Sequence, residues 1–276
     1  MTVPLGRNEA PPAVVVVLVE PAGARNLGSI ARLCANFGVR ELRLVAPRCE
    51  VQGDEARQMA VHAGWVLEQA RQFSSLQHAL ADCRRVVACS GRCAGEPLPL
   101  TPLEPALDWL LAPAPAADGG EALEPPPRAL VFGREDRGLS NDELLQAGRL
   151  LHIETGPLYG SLNLSHAAAV VLQAVHRRRG QTDRRTAATA PAVAATAAAE
   201  PCPRAEVEAL LADAEALLLA VGFLYPHTAH ARMAKLRALL QRAEASSAEV
   251  ALLRGMVRQL RWASQRSAGA PDAASI

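Results

Sequence analysis

The chain has few aromatic residues: four Phe, two Tyr and three Trp among 276 positions. That scarcity argues against a base-stacking platform of the kind that grips single-stranded nucleic acid. Lysine is nearly missing, since Lys235 is the one lysine among 29 basic side chains and the rest are arginine, a bias that reads as the habit of a GC-rich coding sequence. A net charge of +1 neither favours nor excludes a nucleic-acid partner, because the placement of the arginines matters more than their sum. No long apolar run is present. The stretch from Ala13 to Val19 is far too short to span a bilayer. It follows no basic segment and is closed by Glu20 and Pro21, which argues against a signal peptide. The six cysteines form no C-x-x-C pair and have no histidine partners at zinc spacing, so no metal site is expected, and they fit the reduced thiols of a cytoplasmic protein. No G-x-G-x-x-G occurs, which disfavours a dinucleotide-dependent oxidoreductase.

The residues that are present give an ordered pattern. Half the chain is apolar, enough for a packed core. Val14 to Val19 is an unbroken aliphatic run, as expected of a strand buried on both faces. Leu27, Ile30, Ala31, Cys34 and Phe37 then recur at helical spacing up to Gly38. Further strands are expected at Glu41 to Val45, Arg85 to Ser90, Ala129 to Gly133 and Leu151 to Ile153. Helices are expected from Asp54 (as cap) to about Ala63, from Leu76 to Cys83, after the Ser140/Glu143 capping box, and from Leu162 to about Arg179. Strands alternating with helices imply an α/β fold, a parallel sheet with helices on both faces, whose ligands bind beyond the carboxyl ends of the strands. Pro113 to Pro127 reads as a surface loop, and Gln181 to Pro203, rich in Ala, Thr and Pro, as a linker. Beyond it, three helical patterns run from Arg204 to Val221, Thr228 to Ala243 and Ser247 to Ser264, the last behind a Ser246/Glu249 capping box. The expected division is therefore 1–180 as an α/β domain, 181–203 as linker, 204–266 as a helical extension and 267–276 as a disordered tail.

Three segments bear the chemistry. In the first, Asn26, Gly28 and Arg32 stand at the start of the helix after the first strand. There an arginine can reach an anion docked above the strand ends, although an N-cap and a solvated arginine would explain the same residues. In the second, Phe132-Gly133-Arg134-Glu135 carries a buried strand straight into glycine and charge. Gly133 allows close backbone approach and Glu135 can accept hydrogen bonds; solvent-facing ion pairs are the plainer explanation. In the third, Ser161-Leu162-Asn163 opens an otherwise apolar helix, a position that suits N-capping and ligand binding equally.

In this order the three segments resemble the SPOUT superfamily, in its TrmH-like branch of RNA 2'-O-methyltransferases, over Val14 to about His176. That branch shows N-x-G-x-x-x-R, F-G-x-E and S-L-N segments. The opening Val-Leu-Val-Glu-Pro, the later Leu-Arg-Leu-Val-Ala-Pro and the tail segments beginning at Lys235 and Glu249 are similar to the TrmJ group, which methylates the ribose of nucleotide 32 in the tRNA anticodon loop.

The resemblance implies a C-terminal deep trefoil knot, a homodimer with its site at the interface, and S-adenosyl-L-methionine as donor. It implies that Cys89, Ser90, Gly91, Gly133, Ile153, Gly160, Ser161 and Leu162 hold that donor. It also gives Arg32 the central catalytic role, with Asn26, Glu135, Ser161 and Asn163 positioning it and the substrate, and no metal. Relatives carry a second arginine two residues after Arg92, where this chain has Ala94. RNA grip is expected from Arg177, Arg178, Arg179, Arg184 and Arg185, and from Arg232, Lys235, Arg242, Arg254, Arg258 and Arg261 in the tail, through phosphate contacts. The alternatives are the same chemistry at another tRNA position or on ribosomal RNA, and a catalytically silent RNA-binding dimer.

Overall fold

The computed structural model describes residues 13–91, 97–113, 126–188 and 200–268, without the side chains of 181–188 and 267–268. Among the described residues, seven strands form one wholly parallel sheet: β1 (Val14–Val19), β2 (Glu41–Val45), β3 (Arg71–Phe73), β4 (Val86–Cys89), β5 (Leu100–Pro102), β6 (Arg128–Phe132) and β7 (Arg149–His152). Their order across the sheet is β3-β2-β1-β6-β4-β7-β5. β1 lies near the middle, with Val16 opposite Leu42 on one side and Leu130 on the other.

All six residues of β1 are buried, and pleating divides them between two cores. Val14, Val16 and Leu18 face a layer built with α1 (Ala24–Asn36), α3 (Gly64–Glu68), α5 (Leu103–Leu111) and the apolar start of α7 (Leu164–Ala188). Val15, Val17 and Val19 face a second layer with α4 (Leu76–Ala79) and α6 (Asn141–Leu144). Each such side chain contributes about 1.5–3 kcal/mol relative to exposure. That is why an unbroken aliphatic run, without polar alternation, makes this central strand.

Several local expectations are corrected. The helix α2 (Asp54–Ala60) is capped by the backbone of Gly53, with Asp54 as its first residue. It stops at Val61, whose φ of 55° breaks the helix before a 3-10 turn over Val61–Ala63. The helix at Leu76 ends at Ala79, not Cys83. β3, β5 and α5 had no sequence signal. α7 runs through Ala188, past the expected domain end at 180, because Thr182 to Ala188 contains neither Gly nor Pro to stop it. The remainder of the linker up to 199, most of the Pro113–Pro127 loop and the tail beyond 268 lie outside the described residues.

The tail consists of α8 (Arg204–Ala220), α9 (Pro226–Ala243) and α10 (Ser247–Ala268), around its own core of Val207, Leu210, Leu211, Leu224 and Met233. It is fastened to the sheet of its own chain. Arg204 N donates to Cys83 O at 3.1 Å, and Arg85 pairs with Glu200 at 2.7 Å. Glu244, at the end of α9, accepts from Trp109 Nε1 at 3.0 Å and also binds Arg149. Ala238 of α9 completes the second core. No helix among the described residues is long and apolar enough to cross a membrane.

Candidate active site

β4, β6 and β7 all end at one cavity of about 380 Å³, the position at which parallel sheets receive ligands. All eight residues expected to hold a donor line it: Cys89, Ser90 and Gly91 after β4, Gly133 after β6, Ile153 after β7, and Gly160, Ser161 and Leu162 before α7. Phe132, Leu151, Leu164 and Ala167 add an apolar wall, and Thr155 a hydroxyl. The β4 and β7 ends are held together by Ser90 N donating to Leu151 O at 3.0 Å. Burial pushes the Cys89 thiol well above its ordinary range, so it stays protonated and serves as a small apolar wall. Arg92, Cys93 and Ala94, which would follow this loop, lie outside the described residues.

The hairpin after β6 is the most constrained part of the wall. Arg134 and Gly138 exchange backbone hydrogen bonds at 3.3 and 3.0 Å, folding the chain back over Gly133. A Cβ there would come within 2.3 Å of Gly138 C and 2.5 Å of Leu139 N. Only glycine admits this turn. Arg134 is clamped on both sides, by Glu143 through two bonds of 2.8 Å and by Glu20. Glu143 also closes the α6 capping box by accepting from Ser140 N at 2.7 Å. Glu20 leaves β1 at φ 47°, and Arg48 and Arg137 join Arg134 around its carboxylate. The hydrogen bond from Arg134 holds the Glu20 carboxyl below the usual range. Burial opposes the same effect at Glu143, but Arg134 and Ser140 outweigh it. The sequence shows this cluster only as alternating charge in Arg134 to Arg137.

Glu135 joins this wall to the first motif. Its carboxylate accepts from Ala22 N at 3.1 Å, Gly23 N at 3.0 Å and Asn26 Nδ2 at 3.2 Å. Gly23 caps α1 without a side chain, so Glu135 supplies from another loop the anionic cap that a helix N-terminus favours. Burial raises its pKa, but these donors prevail and hold it below the usual range. The fold thus brings Asn26 and Glu135, from two separate motifs, into direct contact.

The other candidates are placed differently. Asn163 does not line the cavity; its Oδ1 accepts from Ser165 N at 2.9 Å, an N-cap for α7. Gly28 is a packing residue, since a Cβ would approach Ala56 O of α2 to 2.1 Å. Arg32 is exposed on α1 and is not in the wall of this chain's cavity. Of the arginines expected to grip RNA, Arg177 and Arg178 pair with Glu104 and Asp108, and Arg254 and Arg261 with Asp213. The side chains of Arg184 and Arg185 lie outside the described residues.

Comparison with known proteins adds family evidence. Residues 13–173 match the model of the SpoU rRNA Methylase family, and residues 205–272 that of the C-terminal domain of tRNA methyltransferase TrmJ. The chain is 36% identical over 245 residues to a tRNA (cytidine/uridine-2'-O-)-methyltransferase TrmJ of Klebsiella pneumoniae, covering 89% of this chain and 95% of that one. It is 37% identical over 170 residues to a tRNA (cytidine-2'-O-)-methyltransferase TrmJ of Methanocaldococcus jannaschii, covering 60% and 68%. Among solved structures, TrmJ from Z. mobilis ZM4 superposes with a TM-score of 0.73 at 29% identity, over 91% of this chain and 99% of that one.

Proposed function

The chain belongs to the SpoU rRNA methylase family and is a methyltransferase, and we propose that it transfers the methyl group of S-adenosyl-L-methionine to a ribose 2'-hydroxyl of tRNA, at position 32 of the anticodon loop, in the cytoplasm. The observation behind this reading is the cavity at the ends of β4, β6 and β7, whose Glu135 is bonded directly to the first-motif helix.

The wall suits the donor. Glycines 91, 133 and 160 leave backbone accessible, and Leu151, Ile153, Leu162 and Leu164 offer an apolar face for a purine. When bound, the donor supplies a methyl already activated on sulfonium. What remains for the protein is orientation and charge stabilisation.

Glu135 fixes the entry of α1 and therefore the helix that presents Arg32. A guanidinium stays protonated in proteins, so Arg32 orients the 2'-hydroxyl and stabilises the negative charge that develops on its oxygen; it does not remove the proton. Arg32 stands exposed and outside its own chain's cavity wall. This fits a homodimer in which α1 of one copy faces the cavity of the other. The same reading gives the chain between β6 and α7 a deep trefoil knot, and the helical extension from Arg204 a role in holding RNA.

The test is to incubate the protein with methyl-labelled S-adenosyl-L-methionine and unmodified tRNA transcripts and to map the label by nuclease digestion, beside Arg32→Ala. A 2'-O-methyl nucleotide at position 32, lost in the variant, is expected. Because Arg32 is exposed and without a partner among the described residues, the variant should keep its stability within about 0.5 kcal/mol. Label on ribosomal RNA and not tRNA would move the substrate, and absence of donor binding would refute the reading.

A further inference from the structure

Two of the nine aromatic side chains occupy one short turn between α8 and α9, and both face water: Phe223 is 60% exposed and Tyr225 55%. The turn explains their direction. α8 ends at Ala220, and the chain turns away at Gly222, with φ 75°. Leu224 N then donates to Leu218 O at 2.9 Å, and the Leu224 side chain is buried in the tail core. Leu224 is thus anchored inward, while Phe223 and Tyr225 on either side of it face water.

Each ring is held by a basic neighbour. The Arg232 guanidinium lies 5.6 Å from the Phe223 ring centre and donates to Phe223 O at 2.8 Å. The His227 ring stacks on Tyr225 at 5.9 Å and 22°. These contacts orient the rings while more than half of each residue stays in water. α9, which follows, contains no Asp or Glu. Arg232, Lys235 and Arg242 are exposed along it at spacings of three and seven, which place them on one face. His230 of α9 lies 3.2 Å from Asp142 of α6, beside the Glu143 that clamps Arg134 in the cavity wall. The turn is thus fastened to the helix that follows the cavity hairpin.

We infer that Phe223 and Tyr225 form a stacking platform for an unpaired base of the substrate RNA, with Arg232, Lys235 and Arg242 following the flanking phosphates. The inference rests on the reading that the substrate is an RNA. Every base has a π face to offer a ring, and a cation row beside rings is the arrangement that tracks single strands. An apolar protein partner would leave that row without complementary charge. Scarcity of aromatics along the whole chain does not prevent a local platform, because a single exposed ring suffices to stack one base.

The test uses fluorescence anisotropy with the full-length protein, a labelled tRNA transcript and a fully paired RNA duplex of equal length. The variants are Phe223→Ala/Tyr225→Ala, Phe223→Leu/Tyr225→Leu and the ring-keeping Phe223→Tyr/Tyr225→Phe. Both ring-removing pairs should bind tRNA about five- to a hundredfold more weakly, while the ring-keeping pair binds as wild type and duplex affinity is unchanged. S-adenosylhomocysteine affinity, read by calorimetry, should be equal in all, since neither residue lines the cavity. Unchanged tRNA affinity in the alanine pair overturns the inference. So does full retention by the leucine pair, which would mean apolar contact without stacking. Loss of self-association with RNA affinity intact would assign the turn to a protein partner and also overturn it. Binding to a ribosomal RNA fragment in place of tRNA, with the same variant pattern, would retain the platform and refute only the tRNA reading.

Discussion

Replacing Gly133 with alanine should damage the cavity at the ends of β4, β6 and β7 more than any other single-methyl change in its wall. The added Cβ would lie 2.3 Å from Gly138 C, 2.5 Å from Leu139 N and 2.7 Å from Gly138 O. All three are backbone atoms, so no flexible side chain can swing aside. Ordinary carbon contacts begin near 3.5 Å, and the hairpin must therefore retreat by about 1 Å. That movement opposes the Arg134–Gly138 backbone pair and the clamp from Glu143, and overpacking of this kind costs about 1–3 kcal/mol. At about 2–4 °C per kcal/mol, Tm should fall by several degrees. Donor affinity should fall as well, because the retreating hairpin displaces part of the wall proposed to hold it, and a cost of about 1–3 kcal/mol carried into binding is about five- to a hundredfold in Kd. The assay is calorimetric titration of S-adenosylhomocysteine into Gly133→Ala and, as control, Gly160→Ala. At Gly160 the Cβ would meet only Thr155 Oγ, at 3.8 Å, so affinity should hardly change. Wild-type affinity in Gly133→Ala, or equal losses in both variants, would refute the reasoning.

Glu135→Gln retains one acceptor where the carboxylate serves Ala22 N, Gly23 N and Asn26. The loss of stability should be about 1 kcal/mol, at the lower end for a cap because the group is exposed; turnover should fall further than that implies, since the α1 entry shifts, and equal kcat in the variant would contradict the positioning role. Glu143 has a depressed pKa, so its contribution is fully present above the unfolded value of about 4.3 and is lost as pH falls through the lower folded value. Denaturant titrations of wild type and Glu143→Gln should therefore differ at pH 7 and converge toward pH 3; a gap that persists at low pH would exclude the ion pair as its source. Gly28→Ala would drive a methyl into Ala56 O at 2.1 Å, separating α1 from α2 at about 1–3 kcal/mol, and an unchanged Tm would show that the helices can part freely.

Five of the seven strands are legible in the sequence because each brings aliphatic residues to a sheet covered on both faces, although β2 carries the buried Arg43 in its middle and β7 begins at Arg149, two residues before the expected Leu151. The other two are short and lie at the sheet edges. Arg71-Gln-Phe and Leu-Thr-Pro have no period to detect, and they are strands because β2 and β7 offer open backbone. α5 escapes notice because Pro105 interrupts its pattern and proline-rich chain follows it. In the site, every expected cavity residue was readable through motif resemblance, and the Asn26–Glu135 bond joins two motifs more than a hundred residues apart. The Glu20–Arg134–Glu143 clamp was not readable, since charge alternation in a loop does not say which partner each charge finds. The tail's attachment was equally hidden, as Glu200, Glu244 and Asp142 are ordinary surface carboxylates until the fold brings Arg85, Trp109, Arg149 and His230 to them.

The position of β1 inside the sheet also bears on how the chain is made. One edge of Val-Val-Val-Val-Leu-Val closes early, when Glu41 to Val45 emerges, but the other must wait for Arg128 to Phe132. At about 5–20 residues per second, the ribosome leaves that edge open for on the order of ten seconds. An uncharged, proline-free hexapeptide with five β-branched residues is the kind of sequence that zippers with copies of itself. The interval between the two pairings is thus the nascent chain's most hazardous stage, and ribosome pausing anywhere between Val45 and Arg128 should raise the aggregated fraction in proportion to the length of the pause.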